Sequence, residues 1–485
     1  MLDPTTLAAY RAAQTAQARA QAVRDSLGSG TLSVELRDGA LLVYSGTFSG
    51  PMTAGAEGSL SASAQLAGLV TTAGTPSAAT WTCRIANGSG RYIEGSFGPG
   101  GRFTWSQGTL RVGDVVRLDV SIAAAGGALP AWVPEPGSIV DISLNSLIDL
   151  NPCPANNCVW SGTGGGPAEI FKVWCGGAWA AEYSTLGAFL YHGGGHNSYS
   201  GNEVYAFDLD TRRWAIHGTP SPYTETDADS NGEYPDGAPF PPHTYSGVAY
   251  MPPAWGGGTK GSYLRFGFAG AAVSQWIHRM DLATGSWSRF ADLTALGGSS
   301  YRSVVRDDSR EGWWIVPAQG NVLFVSKTGA VTSYGGAAYV NSGAENVACY
   351  VANRDLLVNF DRSSGGTQQI KYADASNLAA GWFSANGASL NAPVNYTRGF
   401  EYSSILDCIV SYHGEGGNVV KKLPIPTVLT DDWTWQDETL SGAASYLSGN
   451  PNGHWRRFVE VPAARCFMWA ESANGPVQAF RMMGS

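Results

Sequence analysis

Two histidines separated by three glycines are the residues whose types and spacing first suggest chemistry. His192 and His196 lie in the string "YHGGGH", and imidazole is the commonest side-chain ligand of metals. A spacing of four residues aligns two ligands on one face only in a helix, and the glycines indicate a turn. We therefore predict a structural role for the pair, with no metal ligand and no catalytic residue. A candidate ligand or contact surface is made of His192, His196, Asn197, Tyr199, Asn202 and His413.

An acidic insertion over residues 219–242 carries a partial calcium motif. Asp227, Asp229, Asn231 and Gly232 have the spacing that begins a calcium loop, but Ala238 stands where the bidentate glutamate is needed. The segment predicts a solvated acidic loop, with calcium binding as the alternative.

Motifs for other chemistry are missing from the sequence. It has no Gly-x-Ser-x-Gly elbow, no phosphate-binding Gly-x-x-x-x-Gly-Lys loop and no carboxylate pair that spacing singles out. Seven scattered cysteines, of which only Cys153 and Cys158 are close, do not have zinc spacing. We predict a protein without enzymatic activity or cofactor, made in the cytoplasm with free, mostly buried thiols.

Composition indicates a mainly β protein. The 485 residues include 63 Gly and 25 Pro, which favour turns, and 11% aromatic residues, which suit strands. The net charge of −9 disfavours binding to nucleic acid. No apolar run approaches the ~20 residues of a membrane span, and the N-terminal residues lack the pattern of a signal peptide.

The chain changes character three times. Residues 1–28 are Ala-rich and predict a helix that must pack on its own domain or on a neighbouring subunit. Residues 29–124 alternate apolar and polar positions between regular turn signals, which predicts a small antiparallel β-sandwich. Residues 125–137 are a Pro/Gly-rich linker. After the helix and the β-sandwich, residues 138–485 form the third structured segment.

The third segment contains an internal repeat. Asp-Leu-x-Thr-x-x-Trp occurs twice, ending at Trp214 and Trp287. A looser unit recurs about every 50 residues, which predicts a β-propeller of six blades, with seven as the alternative. The last blade lacks one strand, which we expect from residues 139–147 or 170–174, because such closure removes an open edge. The predicted blade starts are Tyr183, His243, Tyr301, Asn346, Tyr396 and His454.

The stretch "FLYHGGGHNSYSGNEVYAFDLDTRRW" resembles the kelch repeat of galactose-oxidase-like propellers. Its glycine doublet allows close backbone approach, and its aromatic residues pack between blades. The structural positions of the repeat are Gly193, Gly194, Tyr205, Trp214 and Trp287. This family includes copper oxidases whose sites use tyrosines, histidines and a cysteine, and the dipeptides Tyr191–His192 and Tyr412–His413, with Cys175 upstream, are the residues here that match in type. We consider a copper site the weaker interpretation, because nothing in the spacing brings these ligands together.

The preceding segment also has a resemblance, which covers about a quarter of the chain. The Ala-rich stretch, followed by "AATWTCRIANGSGRYIEGSFGPGG" and "LRVGDVVRLDVSI", is similar to the N-terminal modules of structural proteins in tailed bacteriophages. In those proteins the module attaches a larger domain to the virion.

Together the two resemblances imply a structural virion protein of a tailed bacteriophage, a nozzle, hub or fibre-like tail component assembled in the host cytoplasm. Its expected partners are other tail or portal-proximal proteins, further copies of itself in a symmetric ring, and a host surface glycan. The alternative is a carbohydrate-binding or galactose-oxidase-like kelch protein.

Overall fold

The computed structural model divides the chain into two compact units, Met1–Leu129 and Pro130–Ser485. In the first unit it describes the backbone of six strands, given below. Beyond residue 128 the described ranges are 129–152, 166–172, 174–194, 199–241, 243–267, 276–293, 302–317, 319–340, 346–362, 367–388, 390–391, 399–412, 417–442 and 455–483. The helix predicted over residues 1–28 lies outside the described residues.

The described strands of the first unit form one sheet. Its spatial order is β2-β1-β6-β3-β4-β5, and β1 pairs with β6 in parallel. The parallel pair departs from the antiparallel arrangement that the sequence pattern predicts, because alternation and turns locate strands but do not decide which strands become neighbours. The strands are β1 Thr31–Asp38, β2 Leu41–Ser49, β3 Thr80–Ala86, β4 Tyr92–Gly98, β5 Arg102–Trp105 and β6 Val115–Ser121.

The second unit is a β-propeller of six sheets, so the six-bladed prediction is confirmed. Blade 1 consists of β8 Gly177–Ala180, β9 Ala188–Tyr191, β10 Val204–Asp208 and β11 Arg213–His217. Blade 2 consists of β12 Val248–Met251, β13 Ser262–Phe266, β14 Trp276–Asp281 and β15 Ser286–Asp292. Blade 3 consists of β16 Arg302–Asp307, β17 Gly312–Pro317, β18 Gln319–Ser326 and β19 Val331–Val340.

The remaining blades follow the same antiparallel order. Blade 4 consists of β20 Asn346–Val351, β21 Leu356–Arg362, β22 Thr367–Asp374, β23 Phe383–Ser384 and β24 Leu390–Asn391. Blade 5 consists of β25 Gly399–Ser403, β26 Cys408–Tyr412, β27 Val419–Pro424 and β28 Gln436–Thr439. Blade 6 consists of β29 Phe458–Val461, β30 Cys466–Ala470, β31 Val477–Arg481 and β7 Ser138–Asp141.

The first strand of each blade lies nearest the propeller axis. Contacts join β8 to β12, β12 to β16, β16 to β20, β20 to β25 and β25 to β29. Most of the predicted blade starts lie within a few residues of these strands, and Asn346 is the first residue of β20. The exception is Tyr183, which lies in the turn after β8 because the inner strand of blade 1 begins at Gly177.

The ring closes with a strand from the start of the unit. β7 pairs with β31 from Asp141 opposite Gln478 to Ser138 opposite Arg481. This confirms the first of the two predicted sources of the missing strand. The second source, residues 170–174, contributes to a 3₁₀ helix, Gly166–Lys172, rather than to a sheet.

The core lies between neighbouring blades. Blades 6 and 1 share a cluster that includes Phe189, Tyr191 and Met468, and blades 4 and 5 share one that includes Phe360 and Phe400. Several tryptophans belong to the core: Trp313, Trp314, Trp433 and Trp455 are almost fully buried. Burial of these rings accounts for the aromatic-rich composition.

The Asp-Leu-x-Thr-x-x-Trp repeat is the turn between the third and fourth strands of blades 1 and 2. Its aspartate caps the turn: Asp281 Oδ1 accepts hydrogen bonds from the backbone N–H of Ala283 (2.8 Å) and Thr284 (3.1 Å). Its leucine is buried and its N–H donates to a glycine carbonyl of the preceding turn, Gly187 or Gly261, at 3.1 Å in both blades. The motif therefore encodes a repeated turn.

None of the helices among the described residues is long and apolar enough to cross a membrane.

Candidate functional site

The propeller has two ends that differ in their connections. The hairpin end carries the turns from first to second strands, such as residues 181–187, 308–311 and 462–465. The crossover end carries two long segments, residues 192–203 within blade 1 and residues 218–247 between blades 1 and 2.

The predicted contact residues that the structure describes lie buried at the crossover end. His192 is fully buried, its Nδ1 is 2.9 Å from the Glu203 carbonyl, and burial lowers its pKa to about 3. Its ring packs near Tyr263 and Trp287, with centroids 5.6 and 5.4 Å away. His192 is therefore a neutral packing residue.

Tyr199 and Asn202 hold the crossover segments together. The hydroxyls of Tyr199 and Tyr205 both donate to Glu203 Oε1 at 2.6 Å. The Asn202 side chain donates to Ser221 Oγ (2.9 Å) and accepts from the Ser221 N–H (2.9 Å). These contacts join blade 1 to the acidic insertion, so the three described members of the predicted contact surface are interior groups. His196, Asn197 and His413 lie outside the described residues.

The glycine doublet meets a steric demand. Gly193 has a φ of 143°, and a Cβ on Gly194 would lie 1.9 Å from the Tyr199 carbonyl oxygen and 2.5 Å from that of Pro241. Trp214 and Trp287, which end the two copies of the sequence repeat, pack in the cores beside blades 1 and 2.

We expect Gly194→Ala to lower the free energy of unfolding by about 1–3 kcal/mol, because two backbone carbonyls must move to admit the methyl group. Urea unfolding followed by tryptophan fluorescence measures the loss. Gly335→Ala is the matched control, since a Cβ at Gly335 meets nothing within 4 Å. Equal stability of the two variants would contradict the close approach.

The Tyr-His pairs do not form a copper site around their tyrosines. Tyr191 is fully buried and its hydroxyl donates to the Cys175 carbonyl at 2.7 Å, while Tyr412 donates to the Gly417 carbonyl at 3.0 Å. The two tyrosines belong to different interblade cores. Within the described ranges, no three His, Cys, Asp or Glu side chains are grouped to hold a metal. Of the cysteines described there, Cys349, Cys408 and Cys466 are free and buried, as expected, and Cys175 is also buried.

The acidic insertion uses its carboxylates on its own turns. Asp227 Oδ2 accepts from the Thr224 N–H at 2.7 Å, and Asp229 Oδ1 accepts from the N–H groups of Asn231 (2.8 Å) and Glu233 (3.0 Å). These contacts cap turns, as short acidic side chains do in loops.

Glu233 attaches the insertion to blade 2. Its carboxylate contacts His278 Nε2 at 2.7 Å and Arg289 Nε at 2.7 Å. Burial lowers the pKa of His278 to about 4, so its neutral ring donates to Glu233 near neutral pH. The sequence carries no signal for this pairing, because the partners are 45 and 56 residues apart.

A cavity of about 410 Å³ lies on the axis and opens at the hairpin end. The inner strands form its walls and contribute residues such as Ala178 and Val248 to the lining. Its mouth and base carry five charged groups from four blades: Glu182, Arg306, Asp308, Glu401 and Arg456. Sequence reasoning missed this site because its residues share no local motif.

The mouth of the cavity is held by one arginine. Arg306 donates to both oxygens of Glu182 (3.0 and 2.7 Å) and from Nε to Asp308 at 2.7 Å. Its guanidinium also lies 4.7 Å from the centre of the Trp255 ring. This bidentate, stacked geometry fixes both carboxylates in place.

The base of the cavity contains a weakly paired carboxyl group. Glu401 Oε2 lies 3.8 Å from an Arg456 nitrogen and has no hydrogen-bond partner among the described residues. Burial raises the pKa of Glu401 to about 7, although the Arg456 charge opposes the shift. Burial also raises the pKa of the neighbouring Cys349 thiol, which therefore stays protonated and unreactive.

We expect Glu401→Gln to reduce the pH dependence of stability. A carboxyl whose pKa is higher in the folded chain binds more protons there, so native stability falls as pH rises from about 4.5 to 7. The variant lacks this loss. Its free energy of unfolding, relative to that of the native protein, should therefore rise by up to about 3 kcal/mol between pH 4.5 and pH 7. Chemical unfolding at pH 4.5, 6 and 7.5 measures the difference, and parallel curves for both proteins would refute it.

Comparison with known proteins adds fold similarity alone. No protein-family model and no curated protein matches the chain. An auxiliary nutrient binding protein from Bacteroides ovatus is similar over 82% of this chain and 90% of its own, with 9% identity and a TM-score of 0.41. The WD40 domain of Toxoplasma gondii coronin is similar over 72% of this chain and 88% of its own, with 9% identity and a TM-score of 0.37. An Aleuria aurantia lectin in complex with alpha-methyl-L-fucoside is similar over 64% of this chain and 96% of its own, with 12% identity and a TM-score of 0.32.

Proposed function

We propose that this chain is a non-enzymatic structural protein of a tailed-bacteriophage virion. Its N-terminal unit joins the tail, at a nozzle, hub or fibre-like position, and its propeller is presented for assembly or host contact. The proposal rests on the two resemblances in the sequence and on the division of the chain into two units at residues 129 and 130.

The observation that carries the proposal is the way the chain enters the propeller. Directly after the first unit it forms β7, the outermost strand of blade 6, which pairs along its length with the C-terminal strand β31. Ile139 of β7 is buried in the core between blades 5 and 6. A force on the N-terminal unit is therefore borne by a closed sheet and not by an open edge.

Assembly in the host cytoplasm, in a symmetric ring with tail or portal-proximal proteins, gives each weak contact a high effective concentration. Such a ring needs no tight single contact and no catalytic group.

Particle incorporation tests the proposal. The tagged full-length chain is expressed during phage growth, and particles are purified on a density gradient and examined by immunogold electron microscopy. The expected result is label at a defined tail position and an oligomeric mass by light scattering, with a tagged unrelated protein as the control. A monomeric chain that is absent from the particles would overturn the proposal.

A second candidate function, carbohydrate binding, is favoured by the axial cavity. Its lining combines carboxylates and guanidinium groups with the partly exposed rings of Trp179 and Tyr350, which suits a ligand with both hydroxyls and an apolar face. Binding of any sugar in a glycan panel by the full-length chain supports this function, and a panel without binding refutes it. The copper-oxidase form of this alternative is disfavoured because Tyr191 and Tyr412 lie in different interblade cores.

A further inference from the structure

We propose that the axial cavity binds one uncharged sugar unit and rejects anionic sugars, through the acceptor-rich mouth formed by Glu182, Arg306 and Asp308. This inference rests on carbohydrate binding, the second candidate function. It adds the place, the class of sugar and the residues that select it.

The size of the cavity suits a single small ligand. About 410 Å³ is near the lower end of the ~300–1,000 Å³ range of small-molecule pockets. The walls come from the inner strands of a closed ring, which makes the space largely pre-formed. A single sugar ring therefore fits inside the cavity, whereas the further units of an oligosaccharide must extend out through the mouth at the hairpin end.

The mouth offers acceptors and little free positive charge. Arg306 already directs Nε and both terminal nitrogens at Glu182 and Asp308. Each carboxylate oxygen can accept more than one hydrogen bond, so both groups retain capacity for ligand hydroxyls. The side chains of Glu182 and Asp308 are 42% and 72% exposed, which leaves them reachable from solvent.

The charge balance sets the selectivity. Three carboxyl groups and two guanidinium groups line the cavity, and the mouth alone carries two carboxylates for one arginine. A carboxylate or phosphate on the ligand meets like charges at the entrance, whereas a hydroxyl donor does not. This same balance makes a phosphate ligand unfavourable even though an arginine is present.

The base and walls complete an amphipathic site. The Glu401 side chain lines the base and is 21% exposed, so its carboxyl group can accept a hydrogen bond from a ligand hydroxyl that reaches the base. The hydroxyl of Tyr350 is held by Asp355 (2.7 Å), which fixes its ring as a wall, and the partly exposed Trp179 supplies a second ring in the lining. Fixed rings give the apolar face of a sugar a surface without loss of side-chain entropy.

Titration calorimetry on the full-length protein tests the site. The probes are galactose, glucose, mannose and N-acetylglucosamine as uncharged sugars, and glucuronic acid and N-acetylneuraminic acid as anionic ones. We expect at least one uncharged sugar to bind at least tenfold more tightly than either acid. Ala463→Trp, at an exposed position lining the mouth, should weaken that binding at least tenfold. Ala379→Trp, at an exposed position in the turn after β22, is the matched control and should not.

Different failures have different meanings. If no sugar binds, both this inference and carbohydrate binding fail. If a sugar binds equally to the native chain and to Ala463→Trp, carbohydrate binding stands and the axial cavity is the wrong place. If the acids bind as tightly as the uncharged sugars, the proposed selectivity is wrong. Asp308→Asn should reduce the difference in affinity between uncharged and anionic sugars. An unchanged difference would show that Asp308 does not contribute to the selectivity.

Discussion

Ile139→Asp should lower the free energy of unfolding by about 3–5 kcal/mol, because it places a charge in an apolar core and removes a buried side chain. Ile139 is 3% exposed and packs in a cluster that includes Phe467, Trp469 and Phe480. Among the strands that the structure describes, its strand, β7, is the one that pairs with the outer edge of β31. Weakening β7 therefore also frees an edge that can pair with other chains.

Guanidinium unfolding followed by tryptophan fluorescence measures this loss, and light scattering detects aggregation from the freed edge. Glu135→Gln is the matched control, since Glu135 is an exposed residue just before the strand and contributes only its backbone carbonyl to a hydrogen bond. If Ile139→Asp unfolds at the same denaturant concentration as the control, closure by β7 does not stabilise the propeller.

Asp307→Ala should also lower the free energy of unfolding by about 3–5 kcal/mol, because it breaks a buried ion pair and leaves buried donors without an acceptor. Asp307 is fully buried. Its Oδ1 accepts from the N–H of Ser309 (3.0 Å) and Arg310 (3.1 Å). Its Oδ2 accepts from Arg310 (2.7 Å) and from Trp314 Nε1 (2.9 Å). The turn that Asp307 holds also carries Arg306 and Asp308, so the cavity mouth should loosen with it.

The neighbouring carboxylate supplies the control for Asp307. Asp308 is 72% exposed, and an exposed pair contributes less than about 1 kcal/mol, so Asp308→Ala should stay near native stability. Asp307→Asn keeps an acceptor for the backbone N–H groups, so its loss of stability should lie between those of Asp307→Ala and Asp308→Ala. Thermal unfolding of the three variants gives the ranking of their stabilities. A smaller loss of stability for Asp307→Ala than for Asp308→Ala would contradict the proposal that the buried Asp307 carboxylate holds this turn.

Several features of the propeller follow from local chemistry and so are readable in the sequence. Asp281 and Leu282 specify a turn through bonds within a few residues, which is why the repeat is visible without a structure. The missing strand of the last blade can be inferred from the number of strands left after residue 454. The pairing of β1 with β6 could not be inferred, because residues far apart in the chain decide it.

The sequence by itself determined the mainly β class, the repeated turns and a propeller that lacks one strand at its end, because each depends on periodicity or on contacts within one hairpin. The tertiary structure decided for six blades and for residues 138–141 as the closing strand. Only the tertiary structure decided that His192, Tyr199 and Asn202 are interior groups and that Glu182, Arg306 and Glu401 share one cavity. These three come from different blades, separated by 124 and 95 residues, and no local pattern states which side chains face the axis. The ring of inner strands brings them together, so the candidate site is a property of the closed propeller.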